Sequence, residues 1–163
     1  NIFGRLVYFY GNLKFNIETN IPNTKRKIVC FASIHLAEYD KVLKIIKGLK
    51  LNEIHEVVII PRHIQYFEKL NKKVISENLK KITIHNKFGD SMSIFERSKI
   101  VFMGGSLIEH GGQNPLEPLS HGCFVLSGSF NKNFEEIYLD LEKLNLCKTM
   151  NSDSLEIISN EIN

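Results

Sequence analysis

No apolar run in this chain approaches the roughly 20 residues that a membrane-spanning helix needs, and no secretory leader opens it. The first residue is Asn1 rather than Met, which sets the expectation of a piece cut from something larger. Cysteine is scarce. Cys30, Cys123 and Cys147 are odd in number, far apart and without a C-x-x-C pair, which argues against a zinc site and predicts reduced, buried thiols in a cytosolic compartment. Excess charge of one sign is almost lacking as well. A net +3 is too mild for nucleic acid, where a clustered basic face is expected. Neither G-x-G-x-x-G nor G-x-x-x-x-G-K-[ST] occurs, so dinucleotide-redox and ATPase readings drop out. G-x-S-x-G and H-E-x-x-H are missing too, which removes the common hydrolase and zinc-protease signatures. Asp90 has no second aspartate two residues away to clamp a metal diphosphate, and the histidines lack close ligand spacing. No metal and no cofactor are expected.

What is present is an ordinary globular composition, 43% hydrophobic and 24% charged, in 163 residues, enough for one domain with a sizeable core. Apolar segments alternate with amphipathic ones from end to end, without repeats. Strands are predicted at Ile28 to Ala32, Val57 to Pro61, Ile82 to His85, Ile100 to Met103, Phe124 to Ser127 and Leu146 to Thr149, with helices between them. This alternation specifies α/β architecture, a Rossmann-like parallel sheet with helices on both faces. Val42, Ile45, Ile46 and Leu49 have the spacing of a buried helix stripe, which leaves Lys41, Lys44, Lys47 and Lys50 as its solvated face. Lys69, Lys72, Lys73, Lys80 and Lys81 read as helix exterior, with contact to an anionic membrane surface as the alternative. A later helix carries Phe134, Ile137, Leu141 and Leu144 on one stripe, and another begins near a cap at Ser152 or Asp153. Leu6 to Leu13 reads as a strand of a preceding unit and Asn16 to Lys27 as a polar linker. The expected organisation is therefore the end of a preceding lobe at 1–16, a linker at 17–27, and a ligand-binding domain at 28–163 truncated at its C-terminal end.

The most informative segment is Val101 to Pro118, V-F-M-G-G-S-L-I-E-H-G-G-Q-N-P-L-E-P, which reads as a buried strand opening through two glycine pairs onto a short helix. Asn114 can cap that helix with Pro115 at its first position, so that backbone donors face the crevice. Glu117 lies three residues after Asn114. It can close a capping box, or it can accept hydrogen bonds from vicinal hydroxyls of a ligand, and spacing leaves both readings open.

In a doubly wound sheet, ligands bind outside the carboxyl ends of the strands. Ala32-Ser33-Ile34-His35, Pro61-Arg62-His63, Gly89-Asp90-Ser91-Met92, the double-glycine segment and Ser127-Gly128-Ser129 all fall there. In this order, A-S-x-H, P-R-H-x-x-x-F, G-D-[ST]-M and G-G-S-L-x-x-x-G-G-x-N-P-L-E-P resemble the carboxyl-terminal lobe of 3-deoxy-D-manno-octulosonic acid (Kdo) transferases. G-N-L-K-F-N at Gly11 to Asn16 is similar to the strand leading into that lobe.

The resemblance implies a GT-B glycosyltransferase, inverting and metal-independent. Such an enzyme transfers Kdo from the donor substrate CMP-Kdo to a lipid A precursor, in lipopolysaccharide core biosynthesis at the cytoplasmic face of the bacterial inner membrane. It further implies that this chain supplies the donor-binding lobe, inactive alone. The general base is a glutamate of the missing amino-terminal lobe, which also meets acceptor and membrane surface. Carried over residue by residue, the CMP contacts are Pro61 and Arg62, Met92, Ser93 and Ile94, and Asn114, Pro115, Leu116 and Glu117. Ser33, His35, His63, Gly105 and Gly112 are secondary candidates. An arginine just past a buried strand can neutralise the donor phosphate, and helix starts can offer N–H groups. Departures from the family pattern are Leu36-Ala37 for its E-G, Met92-Ser93-Ile94 for its M-G-E, and Phe130 for a common histidine. The alternatives are another GT-B nucleotide-sugar transferase or epimerase, or a nucleotide-binding module without catalysis.

Overall fold

A computed structural model describes residues 26, 28–52, 54, 56–87, 89–150 and 155–163. The strand read at Leu6 to Leu13, the segment Gly11 to Asn16, all of the linker except Arg26, and the cap at Ser152 or Asp153 lie outside the described residues. Strand β1 (Ile28–Ile34) leads through a tight turn at Leu36–Glu38 into helix α1 (Tyr39–Lys47) and strand β2 (Glu56–Pro61). Next come α2 (Phe67–Ser76), β3 (Ile82–Ile84), α3 (Ser91–Arg97) and β4 (Ser98–Met103). The chain continues with α4 (Leu116–Ser120), β5 (Phe124–Ser127), α5 (Glu135–Lys143), β6 (Cys147–Thr149) and α6 (Leu155–Ile162). All six predicted strands form, within one to two residues of their expected ends.

The strands make one parallel sheet in the order β3-β2-β1-β4-β5-β6. This is the doubly wound order, with its topological switch between β1 and β4. Parallel strands are covered on both faces, and the alternating residues of β1 show how. Val29 and Phe31 join one core with Val42, Leu43, Ile45 and Ile46 of α1, Leu70 of α2 and Ile158 of α6. Ile28, Cys30 and Ala32 join the other, with Ile94 and Phe95 of α3, Leu119 of α4 and Leu141 of α5. Cys30, Cys123 and Cys147 are buried and unpaired in that second core. Burial pushes the Cys123 and Cys147 thiols up to about 12 each, so they act as small apolar groups.

Two expectations need correction. The α5 stripe buries Tyr138 and Leu141 with Phe134 and Ile137 packed beside them, whereas Leu144 sits beyond the last turn and is exposed. Of the four lysines read as a solvated face, Lys44, Lys47 and Lys50 are exposed and Lys41 is half-buried. Lys41 donates its Nζ to the Leu107 carbonyl at 2.7 Å, and Lys47 pairs with Glu77 of the α2 end. Lys73 of α2 likewise reaches Asp40 at 2.5 Å, and that hydrogen bond holds the Asp40 carboxyl below its usual range. Among the described residues, no helix is long and apolar enough to cross a membrane.

Candidate functional site at the carboxyl ends of the strands

The rim at the switch point is organised by one buried carboxylate. Glu38, 0% exposed at the end of the turn after β1, reaches across to the loop that follows β4. Its Oε2 accepts the N–H groups of His35 (2.9 Å) and Gly105 (2.7 Å), and its Oε1 accepts those of Ser106 (3.2 Å) and Leu107 (3.0 Å). One turn along α1, Lys41 takes the Leu107 carbonyl. The glycine-rich loop is thus gripped on its donors and on an acceptor. It is tied on its other side to the loop after β5: Ser106 Oγ accepts the Gly128 N–H at 2.8 Å and the Ser106 carbonyl accepts the Phe130 N–H at 3.1 Å, while within that second loop Asn131 Nδ2 donates to Ser127 Oγ at 2.8 Å and to the Gly128 carbonyl at 2.6 Å.

Three imidazoles gather above this loop. The His35 ring lies 4.0 Å from that of His110 and 6.0 Å, edge-on, from that of His63, and Gln113 Nε2 is 3.3 Å from His35 Nε2. Partial burial, then the neighbouring His110, His63 and Arg62, lower the His35 pKa from 6.5 to about 4, so this ring is neutral at physiological pH. Arg62 itself is exposed, with its N–H fixed on the Ile34 carbonyl at 2.8 Å. The β1–β2 register shifts between Phe31 and Ile34, where Ser33 takes a left-handed φ of +55° and turns the chain toward His35.

A second group lies at the starts of α3 and α4. Asn114 Oδ1 accepts the Leu116 N–H at 3.1 Å, and Pro115 already has helical φ of −80°, so the predicted cap forms. Glu117 does not close a capping box with it. Its Oε1 accepts the Ser91 hydroxyl at 3.1 Å instead, joining the two helix starts at an exposed position. Gln113, beside Asn114 in the chain, links this group to His35.

A cavity of about 710 Å³ opens farther along, between the loops after β4 and β5 and helix α5. Glu109, Glu135 and Glu142 line it against a single Lys132, a charge balance unfit for a phosphate, and none of the nine predicted CMP contacts borders it. Tyr138 on its wall gives its hydroxyl to the Gln113 carbonyl at 3.3 Å, and burial drives its pKa far up. Side-chain chemistry therefore places the candidate site at the switch-point rim rather than in this cavity, although His110 borders both. Among the described residues, no group of three or more His, Cys, Asp or Glu side chains is arranged to hold a metal ion.

No family model matches the chain. Among curated proteins, the 3-deoxy-D-manno-octulosonic acid transferase of Haemophilus influenzae is 29% identical over 176 residues, covering 90% of this chain and 41% of that protein. The transferase of the same name from Aquifex aeolicus is 28% identical over 148 residues, covering 84% of this chain and 42% of that one. The chain is a relative of the Kdo transferases. It spans about two fifths of the length of these relatives. In structure it is similar to the C-terminal CMP-Kdo binding domain of WaaA from Acinetobacter baumannii, with TM-score 0.74 and 22% identity over 83% of this chain and 78% of that one. The fold is the Rossmann-like parallel sheet with helices on both faces that this neighbour shares.

The predicted residues fall into the two groups described. Pro61 and Arg62 lie with His35 and His63, while Met92, Ser93 and Ile94 lie with Asn114, Pro115, Leu116 and Glu117. Within them only some side chains are accessible. Met92 is 54% exposed, but Ile94 and Leu116 are core residues, and the Leu116 N–H is spent on the cap. Ser93 turns its hydroxyl back to the Asp90 carbonyl at 3.0 Å. Two glycines of the pairs use their backbone donors inside the fold. The Gly105 N–H goes to Glu38, and the Gly112 N–H goes to the Gly105 carbonyl at 2.8 Å. A Cβ on Gly112 would stand 2.6 Å from Asn131 Oδ1, so that glycine serves close loop packing. His110 and Gln113 were not among the predicted site residues. Their only signal was their position between the glycine pair and N-P-L-E-P, with polar side chains where a tight loop must expose them.

Proposed function

We propose that this chain is the donor-binding lobe of a Kdo transferase, holding CMP-Kdo while Kdo passes to a lipid A precursor at the cytoplasmic face of the bacterial inner membrane. One observation carries the reading. Motifs spread from Ser33 to Glu117 meet along one rim at the β1–β4 switch of a Rossmann-like lobe, with Arg62 at one end and Glu117 at the other. The sequence and fold of Kdo transferases support the same assignment.

In the proposed reaction the lobe's task is to stabilise the leaving CMP. As the glycosidic bond breaks, negative charge gathers on the phosphate, and the planar guanidinium of Arg62 is placed to accept it without a metal. Glu117 at the α4 start would receive the ribose hydroxyls, exchanging its bond from Ser91 for theirs. The base that takes the acceptor proton is assigned to a preceding lobe, in keeping with residues 1–16 as the end of that lobe and 17–27 as the connection. None of Glu38, Asp90, Glu109 or Glu117 is given that role. Glu38 in particular has both oxygens occupied by backbone donors.

Calorimetric titration of the chain with CMP, UMP, UDP and AMP tests this reading. Weak binding with clear preference for CMP is expected, and no turnover of CMP-Kdo above buffer hydrolysis. Preference for a uridine nucleotide would transfer the chain to another GT-B activity, and indifference to the base would leave a generic nucleotide module.

A further inference from the structure

Charge in this chain is segregated along its length. Residues 39–87 hold eleven Lys and Arg against five Asp and Glu, whereas residues 88–163 hold five against eleven, so segments of net +6 and −6 lie behind the mild total of +3. The fold turns this into a division of the sheet. In the order β3-β2-β1-β4-β5-β6, the basic segment supplies β3 and β2 with α1 and α2, and the acidic segment supplies β4 to β6 with α3 to α6.

The basic side presents one helical face. Val42 and Ile46 of α1 and Leu70 and Val74 of α2 enter the same core, which turns Lys44, Lys47, Lys69 and Lys72 outward to exposed positions. The two helices are joined across this face by Lys47 to Glu77 and by Lys73 to Asp40. The Lys73 hydrogen bond, with the charges of Lys73, Lys44 and Lys69 around it, holds the Asp40 carboxyl below its usual range, so one carboxylate is shared among three ammonium groups. Lys72 and Lys80 are exposed and form no ion pair among the described residues. On the same face, three residues after Lys72, Ile75 is 68% exposed. Helix α6 bounds the face on its far side. It packs beside α1, with Ser159 Oγ donating to the Ile45 carbonyl at 2.9 Å, and it exposes Glu156 and Glu161.

Lysines flanking an exposed isoleucine match the boundary of an anionic bilayer, where ammonium groups meet headgroups and an apolar side chain meets the acyl edge. Nucleic acid fits less well, because α1 and α2 carry neither an arginine fork nor an exposed aromatic for stacking. Exposed carboxylates of the other half, such as Glu135 and Glu136, are repelled by the same surface, so charge sets orientation as well as attraction.

We propose that the α1–α2 face is a docking surface for an anionic lipid bilayer, and that it holds this lobe with its acidic half turned to water. This goes beyond the donor-lobe reading, which leaves contact with the membrane to a preceding lobe. Helices of βαβ units run back along their strands, so docking by this face lays α1, α2 and the sheet lengthwise on the leaflet. The rim at the carboxyl ends of the strands then opens along the membrane surface rather than away from it.

Cosedimentation of the chain with vesicles tests this, using phosphatidylglycerol and phosphatidylcholine mixed one to two, and phosphatidylcholine alone. Binding to the anionic vesicles only is expected, and it should be lost as salt rises from about 0.1 to about 1 M and the screening length shrinks from about 10 to about 3 Å. Each lysine near an anionic leaflet strengthens binding by about fivefold, so the combined Lys44→Gln, Lys69→Gln and Lys72→Gln variant should bind at least about tenfold more weakly. The combined Lys99→Gln, Lys132→Gln and Lys143→Gln variant, with the same change of net charge placed in the acidic half, should bind as the parent does. An unchanged melting temperature reports that both variants are folded. Equal losses in the two variants, or no binding to anionic vesicles, would overturn the docking surface. So would tighter binding to single-stranded RNA than to the vesicles, or self-association of the chain while the vesicles stay free. Vesicle binding without preference for CMP would keep this surface and sink the donor-lobe reading, and CMP preference without vesicle binding would do the reverse.

Discussion

Replacing Glu38 by glutamine tests the most heavily committed side chain of the rim. The carboxylate accepts four backbone N–H groups at 2.7 to 3.2 Å from a fully buried position. Glutamine has nearly the same shape but presents an NH2 where one oxygen stood. Whichever way the amide turns, two N–H donors, either His35 with Gly105 or Ser106 with Leu107, face another donor and lose their acceptor. A hydrogen bond to a charged group contributes about 1.5 to 3 kcal/mol, and a buried donor left unpaired costs about 1 to 3 kcal/mol. Relief from burying a full charge offsets part of this, so a net loss of about 3 to 5 kcal/mol is expected, the range for breaking a buried ionic contact from one side. Against a stability of about 5 to 15 kcal/mol, that leaves the domain marginal. Urea denaturation followed by far-ultraviolet circular dichroism should show a lower midpoint at unchanged slope. A Glu38→Gln variant within about 1 kcal/mol of the parent would refute the claim that this carboxylate holds the glycine loop.

Arg62→Ala should weaken CMP binding by roughly ten- to a hundredfold, as a charge-assisted contact implies, and leave cytidine nearly unaffected in the same calorimetric titration. Equal losses for both would show that Arg62 acts through the fold. Glu117→Gln should cost far more affinity for CMP than for 2′,3′-dideoxy-CMP, with little change in melting temperature, because the residue sits exposed on Ser91 rather than in a capping box. An unchanged CMP preference would return Glu117 to a purely structural part. His35 makes stability depend on pH. Its folded-state pKa of about 4 lies below the unfolded value of about 6.5, so the unfolded chain binds more protons between them. Its contribution is complete above pH 6.5 and is lost as pH falls toward 4, by about 1 kcal/mol once solvent screening of the half-open ring is allowed for. Urea midpoints from pH 7 to 5 should fall less in His35→Gln, and parallel curves would contradict this.

The sheet was legible because its strands are buried on both faces, and runs such as Ile100 to Met103 admit few other readings at that length. The Asn114 cap was legible for a different reason, since a cap bond is local and its spacing is written in the chain. Glu117 shows where local reasoning stops. Its partner is Ser91, 26 residues away, and no sequence spacing encodes a bond between two helix starts. Lys41 was read as solvated because helix periodicity assigns a direction to a side chain but not what lies there. Its partner, the Leu107 carbonyl, is 66 residues away. Glu38 was not among the predicted site residues, because a fully buried carboxylate becomes plausible only once the N–H groups that satisfy it are known.

Those N–H groups change how the site must work. In the common dinucleotide-binding lobes a glycine-rich turn lays its backbone donors against phosphate. Here the corresponding donors after β4 are already filled by an internal anion, and the helix that follows begins with a proline and a capped N–H. Backbone at Gly105 to Leu107 cannot supply the phosphate site without expelling Glu38. On the proposed function the ligand charge is then met by side chains of the rim, with Arg62 as the permanent cation and the His35 ring held neutral by partial burial and by its His110, His63 and Arg62 neighbours. Glu38 thereby has a functional consequence without touching ligand, because it fixes the loop on which His110 and Gln113 stand and the turn from which His35 projects.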